Sequence, residues 1–280
     1  MSRIPKRPRA LAITTLTAAL LLTAIPADMV AASPIEPTAA TLAGPGMVAG
    51  AQIAGAVGTA GHAIQASTPA PQPAAKVSAA AVVVAYARSH LRARYQSSAI
   101  GPKSFDCSGL MWRVFREAGL DSKVASQSAR SIYLSYRARG LASRTDPQVG
   151  DLVVWGNGSH IGVYVGGGNA ISALVTGVRV HRVRAMLSPF TAYLHTRLAS
   201  LVKPAWELQV ASHMRTLRHA TRTVYLRAQA SGASANVGTL RSGSRFVVLG
   251  KRYDGAGRLW LRAMTLTGRV GWVPARASTR

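Results

Sequence analysis

Cysteine occurs once in this chain of 280 residues, at Cys107. A single cysteine excludes an internal disulfide, so the thiol stays free. Acidic residues are also scarce: 9 Asp+Glu stand against 34 Lys+Arg, a formal net charge of +25. The excess is spread along the chain, and such a balance implies polyanionic surroundings, either nucleic acid or an anionic wall or membrane surface. Aromatic residues make up only 6%, and no basic helix is interleaved with them as a base-stacking surface would require. The apolar run Ala10–Ile25, diluted by Thr and Ala, falls short of the ~20 residues that a spanning helix needs.

What that run does have is order. Arg3, Lys6, Arg7 and Arg9 precede it, and the small residues Val30-Ala31-Ala32 follow. Basic, apolar and small segments in that sequence predict a secretory signal peptide over residues 1–32, cleaved after Ala32, with no stable membrane span left behind. Export argues against nucleic acid and for an anionic cell wall. Residues 33–76 are Ala, Gly, Pro and Thr with almost no charge and few large apolar side chains, so they read as a flexible linker.

Beyond the linker, Val77–Leu91 predicts a helix with Ala81, Val84, Ala85 and Leu91 on one face. A second helix follows Cys107, where Leu110, Met111, Val114, Phe115 and Ala118 fall at i, i+1, i+4, i+5 and i+8. Asp106 is its expected N-cap and Gly119 its left-handed C′ residue. Ser126–Ala138 predicts a third helix with Ile132, Tyr133 and Tyr136 inward. The pattern then switches to short β-runs at Leu152–Trp155, His160–Val165, Ala170–Leu174 and Val178–Val183, separated by Gly/Asn turns. Helices first and an antiparallel sheet after them define an α+β domain over residues 77–197. Gly166-Gly167-Gly168 is no phosphate loop, because a strand follows it and no Lys-Ser/Thr is near. Residues 198–221 read as a basic connector. In residues 222–280, five short β-runs separated by Gly/Ser/Asp turns predict a small all-β barrel.

Cys107 is expected in the first turn of its helix, where unpaired N–H groups and the positive dipole end favour a thiolate. A lone cysteine can equally be a small buried hydrophobe. Ser108 and Gly109 favour the reactive reading, being too small to cover the sulfur, and Gly inside a helix suggests that something approaches closely. A thiolate nucleophile needs a base and usually a third group that orients the base. Among seven histidines, His160 opens a strand after a tight turn, with Gly162 two residues on leaving room for a cysteine or a substrate. His62, His213 and His219 lie in the spacer and connector, and His90, His181 and His195 lack obvious polar company.

Phe105-Asp106-Cys107-Ser108-Gly109-Leu110, Gly150-Asp151-Leu152-Val153 and His160-Ile161-Gly162-Val163-Tyr164-Val165-Gly166 together resemble the NlpC/P60 family of cell-wall cysteine peptidases. Leu226-Arg227, Gly238-Thr239-Leu240 and Gly271-Trp272-Val273-Pro274 resemble a bacterial SH3 domain. The resemblance implies a papain-like NlpC/P60 domain followed by an SH3-like barrel. It also implies that Cys107 is the nucleophile, His160 its proton acceptor and Ser172 the third residue, a position more often held by a histidine, amide or acid. A serine hydroxyl can accept from the imidazole Nδ1–H but carries no charge; Ser172 as an ordinary strand residue is the other reading. Tyr95 corresponds to a tyrosine beside the nucleophile, although Gln96-Ser97-Ser98 replaces the family's following Trp-Gly. Asp106 and Ser108 flank the nucleophile and are expected to contact substrate, with capping the alternative for Asp106. The implied function is that of a secreted, wall-associated peptidoglycan hydrolase cutting amide bonds of stem peptides, typically after γ-D-glutamyl, without metal or cofactor. Its partners would be peptidoglycan and anionic wall polymers. Against it stands a non-catalytic wall-binding or scaffold protein retaining the fold; an amidase or acyltransferase would use the same scaffold.

Overall fold

A computed structural model describes residues 75–124 and 128–280. The expected signal peptide, nearly all of the linker and Ser126 lie outside the described residues. The strand β1 (Lys76–Ser78) already includes the last residue of the expected linker.

Ser78 caps α1 (Ala79–Ser89) by accepting from the Ala81 N–H. Its buried residues include Ala80, Val82, Val83, Val84 and Ala87, while Ala81 and Ala85 are only half-buried. The expected single face was too narrow, since this helix packs against other helices on more than one side. Two short strands, β2 (Arg94–Tyr95) and β3 (Ser104–Phe105), run parallel and lead into α2 (Cys107–Glu117). The five apolar positions foreseen for α2 are all buried, and Gly119 takes φ +65° just past its end. Next comes α3 (Ala129–Ala138), capped by Ser128 and burying Ile132 and Tyr136, with Tyr133 half-buried.

The sheet contains β4 (Ala142–Ser143), β5 (Leu152–Trp155), β6 (His160–Gly166), β7 (Asn169–Leu174), β8 (Gly177–Arg182) and β9 (Phe190–Leu194). Its order is β4-β9-β5-β6-β7-β8, all antiparallel. Strand alternation sends Leu152, Val154, Ile161, Val163 and Ile171 into the core shared with the helices. Val153, Trp155, Tyr164 and Ala170 build a second cluster on the opposite face.

The predicted connector is ordered. Its strand β10 (Val202–Pro204) pairs with β1, and its helix α4 (Ala205–Ser212) packs on α1. The remaining strands are β11 (Arg218–Ala220), β12 (Val224–Arg227), β13 (Asn236–Leu240), β14 (Arg245–Tyr253), β15 (Leu259–Thr265), β16 (Val270–Pro274) and β17 (Ser278–Thr279). They form a curled antiparallel sheet in the order β13-β12-β16-β15-β14-β11-β17, closed around Leu226, Phe246, Leu261 and Val273. The fold is therefore α+β followed by an SH3-like barrel.

Candidate active site

Cys107 is the first residue of α2 and is half-buried. Asp106 caps that helix, accepting from the Gly109 N–H and from the Ser108 hydroxyl at 3.1 Å. Capping is the role its geometry shows. The close approach expected at Gly109 is the Ala99 carbonyl, which receives the Asp106 N–H at 2.8 Å and would collide with any Cβ at residue 109. Asp106, Ser108, Gly109, Ile100, Trp112 and Ser128 border a hollow of about 290 Å³ formed by residues that flank Cys107. Tyr95 is 38% exposed and is not part of that lining. Its backbone pairs with Phe105, two residues before the cysteine.

Helix α2 packs on β6, and the backbone N–H groups of Ile161, Ser108 and Cys107 itself act to lower the proton affinity of the sulfur. Burial and the Asp106 carboxylate outweigh those groups and push the thiol above its ordinary value. The expected resting thiolate is thus replaced by a neutral thiol.

His160 stands beside Trp155, ring centroids 5.5 Å apart. Its Nε2 is 2.9 Å from Ser172 Oγ, which leaves Nδ1 as the ring nitrogen that serine does not engage. The expected Nδ1 contact to serine is therefore on the other ring nitrogen. Among the described residues no direct hydrogen bond joins Cys107 Sγ to His160. Burial, then the nearby His181, drives the His160 proton affinity down from 6.5 to about 4. Thiol and imidazole are both uncharged at neutral pH.

The room at Gly162 is taken by the neighbouring strand, not by a cysteine or substrate: a Cβ there would lie 2.7 Å from the Ile171 carbonyl oxygen and 2.9 Å from the Ser172 Cβ. Ser172 is fully buried. It has a second partner that the sequence did not reveal, His181 Nε2 at 2.8 Å. His181 Nδ1 contacts the Arg182 carbonyl at 3.1 Å, and its ring also lies 5.5 Å from Trp155.

The other two histidines set aside for lack of partners also have them. His90 Nε2 meets Glu117 at 2.9 Å. His195 Nδ1 meets Asp151 at 2.9 Å, and its Nε2 meets Ser143 Oγ at 2.8 Å. All three pairings cross elements distant in sequence. Asp151, the acid of the Gly-Asp motif, is buried and also accepts from the backbone N–H groups of Gln148 and Thr196, a structural role. Among the described residues no His/Cys/Asp/Glu cluster is arranged to hold a metal ion, and no helix is long and apolar enough to cross a membrane.

Helices delivering a thiol to an antiparallel sheet that carries a hydrogen-bonded histidine define a papain-like α+β domain, here followed by a β-barrel. Comparison with known proteins makes the assignment specific. Residues 92–199 match the NlpC/P60 family and residues 222–278 the bacterial SH3 domain, so the chain carries an NlpC/P60 domain followed by a bacterial SH3 domain. A probable endopeptidase p60 of Listeria grayi is 38% identical over 104 residues, 35% of this chain and 19% of that protein. A probable endopeptidase of Corynebacterium glutamicum is 33% identical over 109 residues, 38% of this chain and 48% of its own. This chain thus spans less than half the length of these curated relatives. Among solved structures, the NlpC/P60 domain of the peptidoglycan hydrolase SagA is 26% identical, covering 41% of this chain and 97% of its own, with a TM-score of 0.34. The peptidoglycan hydrolase RipB of Mycobacterium tuberculosis is 24% identical over 42% of this chain and 63% of its own, with a TM-score of 0.34.

Proposed function

We propose that this chain is an exported, wall-associated peptidoglycan endopeptidase that cuts stem-peptide amide bonds, with γ-D-glutamyl linkages the expected target, using Cys107 as nucleophile and His160 as base. One observation supports this above others: Cys107 opens the helix that packs on β6, and the first residue of β6 is a histidine whose Nε2 is engaged by Ser172 at 2.9 Å. The names of the relatives support the same chemistry.

In this reading the substrate amide lies in the hollow over Ser108 and Trp112. The thiol proton passes to His160 Nδ1 as sulfur attacks the carbonyl carbon. The Cys107 and Ser108 N–H groups, which have no carbonyl partners within the helix, stabilise the oxyanion. His160 then gives its proton to the leaving amine as the C–N bond breaks, leaving a thioester. Water, deprotonated by His160, hydrolyses the thioester to a carboxylic acid and restores the thiol.

The barrel supplies attachment. Arg222, Tyr225, Arg227, Trp260 and Arg276 border a surface hollow of about 310 Å³ suited to anionic wall polymers. A second reading, a wall-binding protein without turnover, draws on the protonated, half-buried thiol. Purified peptidoglycan incubated with the wild type and with Cys107→Ser, followed by mass spectrometry of the fragments, separates the two. New amines released only by the wild type support the peptidase, and equal release by both proteins ends it.

A further inference from the structure

His181 lies outside the expected Cys-His-Ser trio, yet the hydrogen-bond chain passes through it. The Arg182 carbonyl can only accept, so His181 Nδ1, 3.1 Å away, must carry a proton. In a neutral imidazole Nε2 is then the acceptor, and the Ser172 hydroxyl, 2.8 Å away, must donate to it. With its one proton so directed, Ser172 Oγ can only accept from His160 Nε2–H at 2.9 Å. His160 Nδ1 is therefore left with a lone pair, the state that a base for Cys107 needs. Ser172 is fully buried, so water does not compete for its hydroxyl.

We propose that His181 is a positioning residue that, through Ser172, fixes the His160 tautomer with Nδ1 unprotonated and so keeps the base ready for Cys107. This rests on the peptidase reading above and answers the uncharged serine at the third position: the polar end of the chain is displaced by one hydrogen bond. When the Cys107 proton arrives on Nδ1, the Nε2–H stays on His160 and still donates to Ser172, whose own proton still donates to His181.

The same chain has an acid-side off state. A proton on His181 Nε2 turns that nitrogen into a donor and reverses the Ser172 hydroxyl toward His160 Nε2. A neutral His160 must then carry its proton on Nδ1, where it no longer accepts from the thiol. The charged and titratable groups on the strands around His181 are Arg179 and Arg182 on β8, Arg94 and Tyr95 on β2, and His160 across Ser172; these strands carry no carboxylate. Arg179 and Arg182 are bound to Thr176 and to the Gly167 carbonyl.

The test uses the full chain with His181→Ala and His181→Gln. A glutamine amide oxygen can take the Ser172 proton but does not titrate. In His181→Ala, kcat on peptidoglycan fragments is expected to fall about tenfold to a hundredfold, the scale of losing an orienting partner, with KM little changed. His181→Gln recovers to within about threefold and extends activity to lower pH. Nitrogen-15 shifts of His160 report its tautomer directly: an acceptor Nδ1 in wild type and His181→Gln, a mixture in His181→Ala. An unchanged His160 tautomer in His181→Ala, or an acid limb in His181→Gln identical to wild type, overturns the proposal. If the wild type shows no Cys107-dependent hydrolysis, the peptidase reading falls, and the nitrogen shifts still decide the role of His181.

Discussion

Acid should destabilise this protein through His160, by an amount the site allows one to work out. The unfolded imidazole binds a proton as pH drops below its ordinary 6.5, whereas in the fold burial and His181 delay protonation to about 4. Between those values the unfolded state holds more protons, so stability present above pH 6.5 is lost as pH falls toward 4. At about 1.4 kcal/mol per pH decade, His160 accounts for a loss of about 3 kcal/mol. His160→Gln retains a donor for Ser172 but cannot titrate. Urea unfolding at pH 7 and pH 4 should therefore show the wild type losing about 3 kcal/mol more than the variant. His181, whose proton affinity is also lowered by burial, adds a loss of the same sign in both proteins. Equal losses in wild type and variant, within about 0.5 kcal/mol, would refute a desolvated neutral imidazole and the general-base mechanism drawn from it.

Alkylation of Cys107 by iodoacetamide should rise with pH through a midpoint above the ordinary thiol value, because burial and Asp106 oppose ionisation; an acid-side plateau would instead reveal a preformed ion pair. Asp151→Ala should cost about 3 kcal/mol in denaturant unfolding, since it strips partners from buried donors including the Thr196 N–H. An effect below ~1 kcal/mol would contradict its structural role. Gly109→Ala should cost about 1–3 kcal/mol by forcing the helix start away from Ala99, read as a lower melting temperature and altered Cys107 reactivity. Arg222→Ala combined with Arg276→Ala should weaken sedimentation with cell walls and flatten its salt dependence; unchanged sedimentation would remove this hollow from the binding surface.

Local patterns carried much of the fold. The α2 stripe, its Asp106 cap and the Gly119 stop are encoded within a dozen residues, and β5 to β8 alternate apolar residues between Gly/Asn turns. Strand β9 escaped notice because its place between β4 and β5 is set by sheet topology. Helix α4 was hidden in a stretch read only for charge. Cys107 and His160 could be chosen as candidates from their surroundings in the sequence, whereas the contact between His181 and Ser172 could not. The serine comes from the neighbouring strand, and the carbonyl fixing the His181 tautomer carries no sequence signature. The thiol's protonation was missed for a related reason. N–H groups at a helix start can be read from sequence, but the burial that outweighs them is tertiary.

Three residue pairs between β1 and β10, Lys76 with Pro204, Val77 with Lys203 and Ser78 with Val202, stitch the entrance of the NlpC/P60 domain to its exit. Mechanical load running between the barrel and anything attached before Lys76 passes through that stitch. The strands that carry His160, Ser172 and His181 lie outside the path of that load. A pull on both ends is thus borne by three backbone pairings and not by the strands around Ser172.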